Sequence, residues 1–463
     1  MTHPRNPGWL ALAVAACLAG CAASGPTTPA DTQAVLQQAG VPVSLPAGAG
    51  APADTPALDW RDLVREPRLL AWVDLALQNN RDLRVALLNV QRAQAQLGLT
   101  DANRLPTLGV GVSASRAPNS KGQQVNSLTA GVSVSTWEID LFGRLANLSD
   151  AARAQLLSSQ AGRQAVQVAL VGSVLQAGLA LQADDELLEL ARLALVSREQ
   201  TLKLTQLRES AGAASLLELQ AQQTLTAQGR VALAQFTRQQ QQDLNALALL
   251  LGQPVPAGAA LPSIRLADEA WLAEVPAGLS SAVLLRRPDV IAAEQTMRAA
   301  QANIAAARAA FWPSISLTAQ AGQASAQLAG LFQGGNFAYT LAANALLTVF
   351  DAGRRQANLD AAQASQQIAQ AQYERAIQSA FRDTADALAG LATWRDQLAA
   401  QREQRDAARD TARLTELKAS QGAASALERL DAQRALFSAE QAVVQVRLAE
   451  LNNRVLLYKA LGG

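Results

Sequence analysis

Thirteen residues occur twice in this chain, each time with a glycine near the middle. Leu207 to Leu219 reads LRESAGAASLLEL and Leu417 to Arg429 reads LKASQGAASALER, eight identities at an offset of 210. The likeness continues outside them. Ala93-Gln94-Ala95 returns as Ala300-Gln301-Ala302 and Pro106 as Pro313, both at offset 207. Gly143-Arg144 returns as Gly353-Arg354 and Gly252 as Gly462, both at offset 210. Three residues therefore enter between Pro313 and Gly353, and insertions settle in surface loops. The chain is a tandem duplication. Whatever architecture one copy adopts, the other has to adopt too. The predicted boundaries are 58–252 for the first repeat, 253–278 for a Pro-rich connection and 279–463 for the second.

Each copy runs in the same order. A helical pattern comes first, over Leu69–Asn103 and Leu284–Ala310. Alternating segments follow: LGVGVSASR (Leu108–Arg116) and SLTAGVSVSTW (Ser127–Trp137), then SISLTAQAG and FAYTLAANALLTV in the second copy. Period-two alternation between turn-rich segments marks strands, here of about the length that crosses a bilayer in a tilted barrel. Proline is then absent from Arg144 to Arg208 and from Arg354 to Lys418. Helices of that length reach on the order of 100 Å, far beyond one globular core, and their Ala-, Leu- and Gln-rich pattern predicts coiled-coil packing. Gly212 and Gly422 follow them as left-handed caps, so the repeated thirteen residues are the tips of two helical hairpins. Ser215 and Ser425 cap the returning helices, with Glu218 and Glu428 placed for a capping box. The fold class is thus α+β and mainly α: long antiparallel helical hairpins plus four membrane strands per chain.

The charge-free run Gln164–Ala183 is long enough to cross a membrane but carries four glutamines. It reads as the membrane-proximal part of a long helix outside the bilayer. Four strands do not close a stable barrel, and open edges leave backbone groups unpaired in hydrocarbon. Copies of the chain have to share a barrel, of eight, twelve or sixteen strands.

Residues 1–20 carry Arg5, an apolar run and small residues, the pattern of a secretory signal peptide. Leu18-Ala19-Gly20-Cys21 resembles a bacterial lipobox, with Cys21 as lipid attachment site, and Ala22 points to the outer membrane. Residues 22–57 read as a flexible tether. The leader takes with it the chain's one histidine and one of its two cysteines. That excludes an internal disulfide, His- or paired-Cys metal sites and Ser-His catalysis. Arg5 is one of 39 basic residues against 38 acidic, so the mature chain has no net charge and lacks the basic surplus of a nucleic-acid binder. No cofactor, metal or enzymatic activity is expected.

LLRRPDVIAAEQTMRAAQANIAAARAAFWPSISLTAQAG (Leu284–Gly322) resembles the signature of TolC-family outer-membrane efflux factors, in the lipoprotein branch that serves resistance-nodulation-division pumps. WEIDLFGR (Trp137–Arg144), FDAGRR (Phe350–Arg355) and LDAQRALFSAEQ (Leu430–Gln441) match as well, and the resemblance spans residues 60–463. It implies a homotrimer with a twelve-stranded barrel and a twelve-helix periplasmic tunnel. Implied partners are a periplasmic adaptor, an inner-membrane pump of that class and outer-membrane lipid. It also implies that Glu428 and Asp431 line the periplasmic aperture as a gate, with upward pKa shifts where six carboxylates crowd. The basic residue often found two positions after the tip glycine is Ala424 here. The tips Gly212, Ser215, Gly422 and Ser425 become contacts for adaptor or pump. Trp137, Phe142, Phe311 and Trp312 flank the strands as membrane-interface aromatics. In RRPD, Pro288 and Asp289 read as a helix start. The rival readings are the exit duct of a type I secretion system and a non-conducting coiled-coil lipoprotein.

Overall fold

The computed structural model describes residues 32–42, 59–256, 266, 271–273 and 281–463. The signal peptide and Cys21 lie outside the described residues. In chain order the elements are α1 (Thr32–Gln38), α2 (Trp60–Leu63), α3 (Pro67–Asn79), α4 (Arg81–Ala102), β1 (Leu108–Pro118), β2 (Gln124–Ile139), α5 (Arg144–Ser210), α6 (Leu216–Leu251), α7 (Pro288–Ala309), β3 (Ser314–Ser325), β4 (Phe337–Leu346), α8 (Arg354–Ser420) and α9 (Ala426–Leu461). The duplication is visible in the lengths. α4 and α7 have 22 residues each, α5 and α8 have 67, and α6 and α9 have 36. The inserted residues fall in the β3–β4 connection, 326–336, which is longer than the β1–β2 connection at 119–123.

The first helical pattern is two helices rather than one. Asn80 breaks it in extended conformation, its side chain accepting from Leu83 N (3.0 Å) and donating to Leu250 O (2.9 Å). An asparagine in this role satisfies an orphan N–H at the new helix start while tying it to the end of α6.

The strands form one antiparallel sheet in the order β1-β2-β3-β4, so its central pairing, β2 with β3, joins the two repeats. Its register sorts the faces. Leu108, Val110 and Val112 lie opposite Val134, Val132 and Ala130. These continue across Ala319 and Ala321 to Leu341 and Tyr339, giving an apolar face. The other face carries Ser113, Thr129 and Gln320; Ser113 Oγ lies 2.7 Å from Thr129 Oγ1, and Gln320 Nε2 donates to that hydroxyl at 3.4 Å. β1 and β4 are the outer strands and are exposed along their whole length.

The helical core sits about midway along α5. Leu170, Val171, Val174, Leu175 and Leu179 are buried with Leu69, Trp72 and Val73 of α3 and with Val455, Leu457 and Tyr458 of α9. These residues belong to the charge-free run Gln164–Ala183. Its apolarity is therefore core burial inside the protein, and it lies mid-helix rather than at the membrane end.

Two segments dock where the sequence predicts looseness. Within the expected tether 22–57, α1 buries Leu36, and Ala39 and Val41 follow it into the core. Gln378 Nε2 donates to Ala39 O (2.9 Å) and Gln38 Nε2 to Glu374 Oε1 (3.3 Å). Composition hides this, because three apolar side chains suffice once α8 supplies a surface for them. In the Pro-rich connection Leu266, Trp271 and Leu272 are buried. Arg65 N donates to Trp271 O (3.1 Å) and Ala273 N to Leu63 O (2.7 Å). From the other side, Arg447 Nε donates to Leu266 O (2.8 Å) and Arg454 Nη1 to Leu272 O (3.3 Å).

Candidate functional site

At the tips the chain reverses as its capping residues dictate. Gly212 (φ +76°) and Gly422 (φ +72°) are left-handed. Ala213 N donates to Arg208 O (2.7 Å) and Ala423 N to Lys418 O (2.8 Å), closing the same turn in both copies. Ser215 Oγ then accepts from Glu218 N, and Ser425 Oγ from Glu428 N. The expected pair of capping boxes is complete only in the second copy, where Ser425 N donates to Glu428 Oε2 at 2.7 Å. In the first copy Glu218 turns instead to Arg208, 3.6 Å away. Arginine is the reason: its fork also reaches Ala213 O, whereas the second copy has Lys418 at that place.

The proposed gate acids stand one and two turns into α9. The Glu428 carboxyl is held below the ordinary glutamate value by the bonds from the Ser425 backbone N–H and hydroxyl. In one subunit its shift is therefore downward. Asp431 is exposed and pairs with Arg434 at 3.2 Å. Ala424 itself brings no cation here; the charge of Lys418, on the far side of the turn, adds to the downward shift of Glu428.

At the opposite end of α5 and α8, sheet and helices are bolted together. Glu138 grips Arg144 with two bonds, 2.9 and 2.6 Å, and Asp351 holds Arg355 at 2.8 Å. The four flanking aromatics gather here. Phe142 stacks on Trp312 with centroids 5.3 Å apart. Arg355 lies over Phe311 at 5.3 Å, and Trp137 donates its indole N–H to Arg104 O at 3.0 Å. Trp137 reaches the apolar face through a register shift between Val134 and Trp137, after which it pairs with Leu317. Without that bulge it would point to the polar face. Local alternation carries no signal for such a shift. RRPD is a helix start, as its residues predict, and more. Arg287 holds Asp289 with two bonds and donates to Ala460 O (3.0 Å), locking the start of α7 to the end of α9.

Sequence reading misses an acid pair between α5 and α6, of which Asp184 is buried and Asp243 half-buried. Asp184 is 5% exposed. Burial pushes its carboxyl up to about 8, helped by a hydrogen bond with Asp243 and by the charges of Asp243 and Asp185. Its position at the end of the charge-free run is the sole hint in the sequence. The folded chain keeps this proton at pH values where the unfolded chain, with an ordinary aspartate near 3.8, has released it. Stability therefore falls as pH rises from about 4 to about 8 and is level above that. Asp184→Asn is expected to stabilise the protein by several kcal/mol at pH 8 and by almost nothing at pH 4. Thermal melts at the two pH values check this; equal gains at both would contradict it.

Two open outer strands, an apolar sheet face, a polar one and 67-residue helices describe a section of wall. The family model described as "Outer membrane efflux protein" matches residues 72–253 and 279–463. The toluene efflux pump outer membrane protein TtgC of Pseudomonas putida is 42% identical over 411 residues, covering 87% of this chain and 84% of the relative. The outer membrane protein OprJ of Pseudomonas aeruginosa is 38% identical over 421 residues, covering 89% and 87%. Among solved structures, the open state of the Neisseria gonorrhoeae MtrE outer membrane channel superposes with a TM-score of 0.82 at 35% identity, covering 91% of this chain and 95% of that one.

Proposed function

The chain belongs to the outer membrane efflux protein family, and from that membership we propose that three copies close into one duct that carries small toxic organic compounds out of the cell. The subunit itself is an outer-membrane efflux channel component that extends into the periplasm. The observation that carries the trimer is the unfinished sheet. β2 pairs with β3 across the repeats, and the same operation repeated would bring β4 of one copy to β1 of the next. The helices support it. α7 packs between α5 and α8, whereas its counterpart α4 packs on α5 and has no buried residue. A neighbour's α8 would fill the place that repeat symmetry reserves. Two copies would make eight strands, a barrel that side chains fill; three make twelve, the smallest such assembly with a lumen. The polar face with Ser113, Thr129 and Gln320 then lines the lumen, and the apolar face meets lipid.

Transport through this duct has no chemical step; an inner-membrane pump supplies the energy and a periplasmic adaptor joins it to the tips around Gly212, Ser215, Gly422 and Ser425. A toluene-efflux relative supports a cargo of small organic compounds. The phenyl and indole rings of Trp137, Phe142, Phe311 and Trp312 mark the interface. Cys21 carries the lipid anchor, and intact mass should show acyl chains that Cys21→Ser lacks. Glu428 and Asp431 form rings of carboxylates at the aperture. The test is current through purified protein in planar bilayers. The wild type should conduct with a preference for cations, and changing both acids to alanine should raise basal conductance and weaken that preference. A silent wild type would favour a non-conducting tether, and unchanged selectivity would remove the two acids from the gate.

A further inference from the structure

Acidic residues are missing from almost the whole sheet. None occurs between Asp101 and Glu138 or between Glu294 and Asp351, the stretches that hold the four strands up to the last two residues of β2. The two ends of the sheet differ in consequence. Where it meets the helices, Glu138 and Asp351 are spent on Arg144 and Arg355. At the far end stand Arg116, near the end of β1, and Lys121, in the connection to β2. Both are exposed, and among the described residues no carboxylate pairs with either. The connection is tight. Asn119 Oδ1 accepts from Lys121 N and from Gln123 N, both at 3.0 Å, and Asn119 N donates to Gln123 O at 2.8 Å.

Register places Arg116 on the apolar face. Val112 lies opposite Ala130, Ala114 opposite Leu128 and Arg116 opposite Asn126, so the aliphatic rows give out at Arg116. The row of Trp137 and Leu317 marks the other edge of that face. Five row steps separate the two, about 33 Å along the strands and about 25 Å along the normal of a barrel tilted by about 40°. That is the height of the apolar band on an outer-membrane barrel. With Trp137 at one headgroup level, Arg116 stands at the other. Between them an apolar trough of about 370 Å³, lined by Val132, Val134, Ala319, Ala321, Tyr339 and Leu341, offers an acyl chain a place on the face.

We propose that Arg116 and Lys121 bind the phosphate groups of an outer-leaflet lipid whose acyl chains lie along the apolar rows beneath them. The proposal rests on the reading of the sheet as part of a membrane barrel. Three copies would bring six such cations to one rim, and a ring of like charges repels itself unless anions stand between them. A guanidinium meets phosphate oxygens with two parallel bonds, and the ammonium adds a movable point charge. A charge on an outer strand can also guard an open edge, but β1 is paired once the barrel closes. A zwitterionic headgroup brings its own cation, so the site favours a lipid with surplus phosphate.

The test offers purified protein in nonionic detergent diphosphoryl lipid A, monophosphoryl lipid A or phosphatidylethanolamine, and counts bound lipid by native mass spectrometry. Wild type should bind the diphosphoryl form most tightly. Arg116→Gln and Lys121→Gln should each weaken that binding about fivefold. The double variant should approach the product of the two, because they act as separate charges. The monophosphoryl form should lose less, and phosphatidylethanolamine should be indifferent to all three variants. Arg116→Lys should keep most of the affinity, and Arg104→Gln, at the helix end of the sheet, should bind as wild type. Glutamine variants that bind diphosphoryl lipid A like wild type, or an equal loss in Arg104→Gln, would overturn the proposal. So would displacement of the lipid by inorganic phosphate, which would assign the site to a free anion. A wild type that neither assembles nor enters liposomes refutes the barrel reading. One that does both, with indifferent variants, refutes the phosphate site and leaves the barrel standing.

Discussion

Gly131→Val is expected to abolish the folded sheet, the largest effect foreseen for any single substitution here. Gly131 of β2 faces Gly322 of β3 in the pairing that joins the two repeats. A β-carbon on Gly131 would overlap Ala321 O and stand 2.7 Å from Gly322 Cα. Backbone occupies that space, so no rotamer change relieves the clash. The strands would have to part, and each N–H and C=O released into hydrocarbon costs several kcal/mol. Since β2–β3 is the sheet's central seam, the barrel proposed above would be lost rather than a margin of stability. Gly111→Ala is the control. It lies in the same row, opposite Gly131, but nothing approaches its β-carbon position within 4 Å. Detergent-extracted Gly131→Val should give none of the proposed trimer and a reduced sheet signal by circular dichroism, while Gly111→Ala assembles as the wild type does. A Gly131→Val trimer of wild-type yield and melting temperature would show that the two strands do not meet as closely as described.

Glu450→Ala is expected to cost about 3–5 kcal/mol and to loosen the connection between the repeats. Glu450 is buried on α9 between two arginines, bonded to Arg447 through one carboxylate oxygen and to Arg454 through the other at 2.6 and 3.0 Å. Burial weakens the hold of Arg447 on its proton, and the Glu450 carboxylate offsets part of that effect. Both arginines spend further donors on the connection, at Leu266 O and Leu272 O. Removing the carboxylate leaves two guanidiniums close together inside the protein, and the strap they hold loses its donors as they turn toward water. Denaturant unfolding measures the first effect, and proteolysis within 253–278 measures the second. Glu450→Gln should fall between alanine and wild type, because an amide keeps one acceptor but no charge. An alanine variant as stable and as protease-resistant as wild type would show that the network does not hold the strap.

The parts legible in the sequence are local in origin. Helix starts and stops depend on Gly, Ser, Pro and Asn within a turn of the boundary, so the tips at Gly212 and Gly422 and the start of α7 at Pro288 could be read directly. The strands were legible as period-two alternation, but not the bulge that turns Trp137 to the apolar face. The site residues separate in the same way. The caps Ser215 and Ser425 stand where expected, yet Glu218 abandons its box because Arg208 is near, and one side-chain identity decided that. Asp184 and Asp243 are 59 positions apart and meet only because α6 returns along α5.

The amino-acid order alone determined that this protein is one unit written twice, with strand pairs, very long helices and hairpin tips in the same sequence in each copy. Those features follow from periodicity and capping, interactions a few residues long that act before any core exists. Tertiary structure decided what the copies do to each other. It set which strand of one repeat joins the other, which face of the sheet is polar, and that residues 32–41 and the connection dock. Such outcomes turn on register, burial and distance between segments far apart in the chain, and no short stretch contains them.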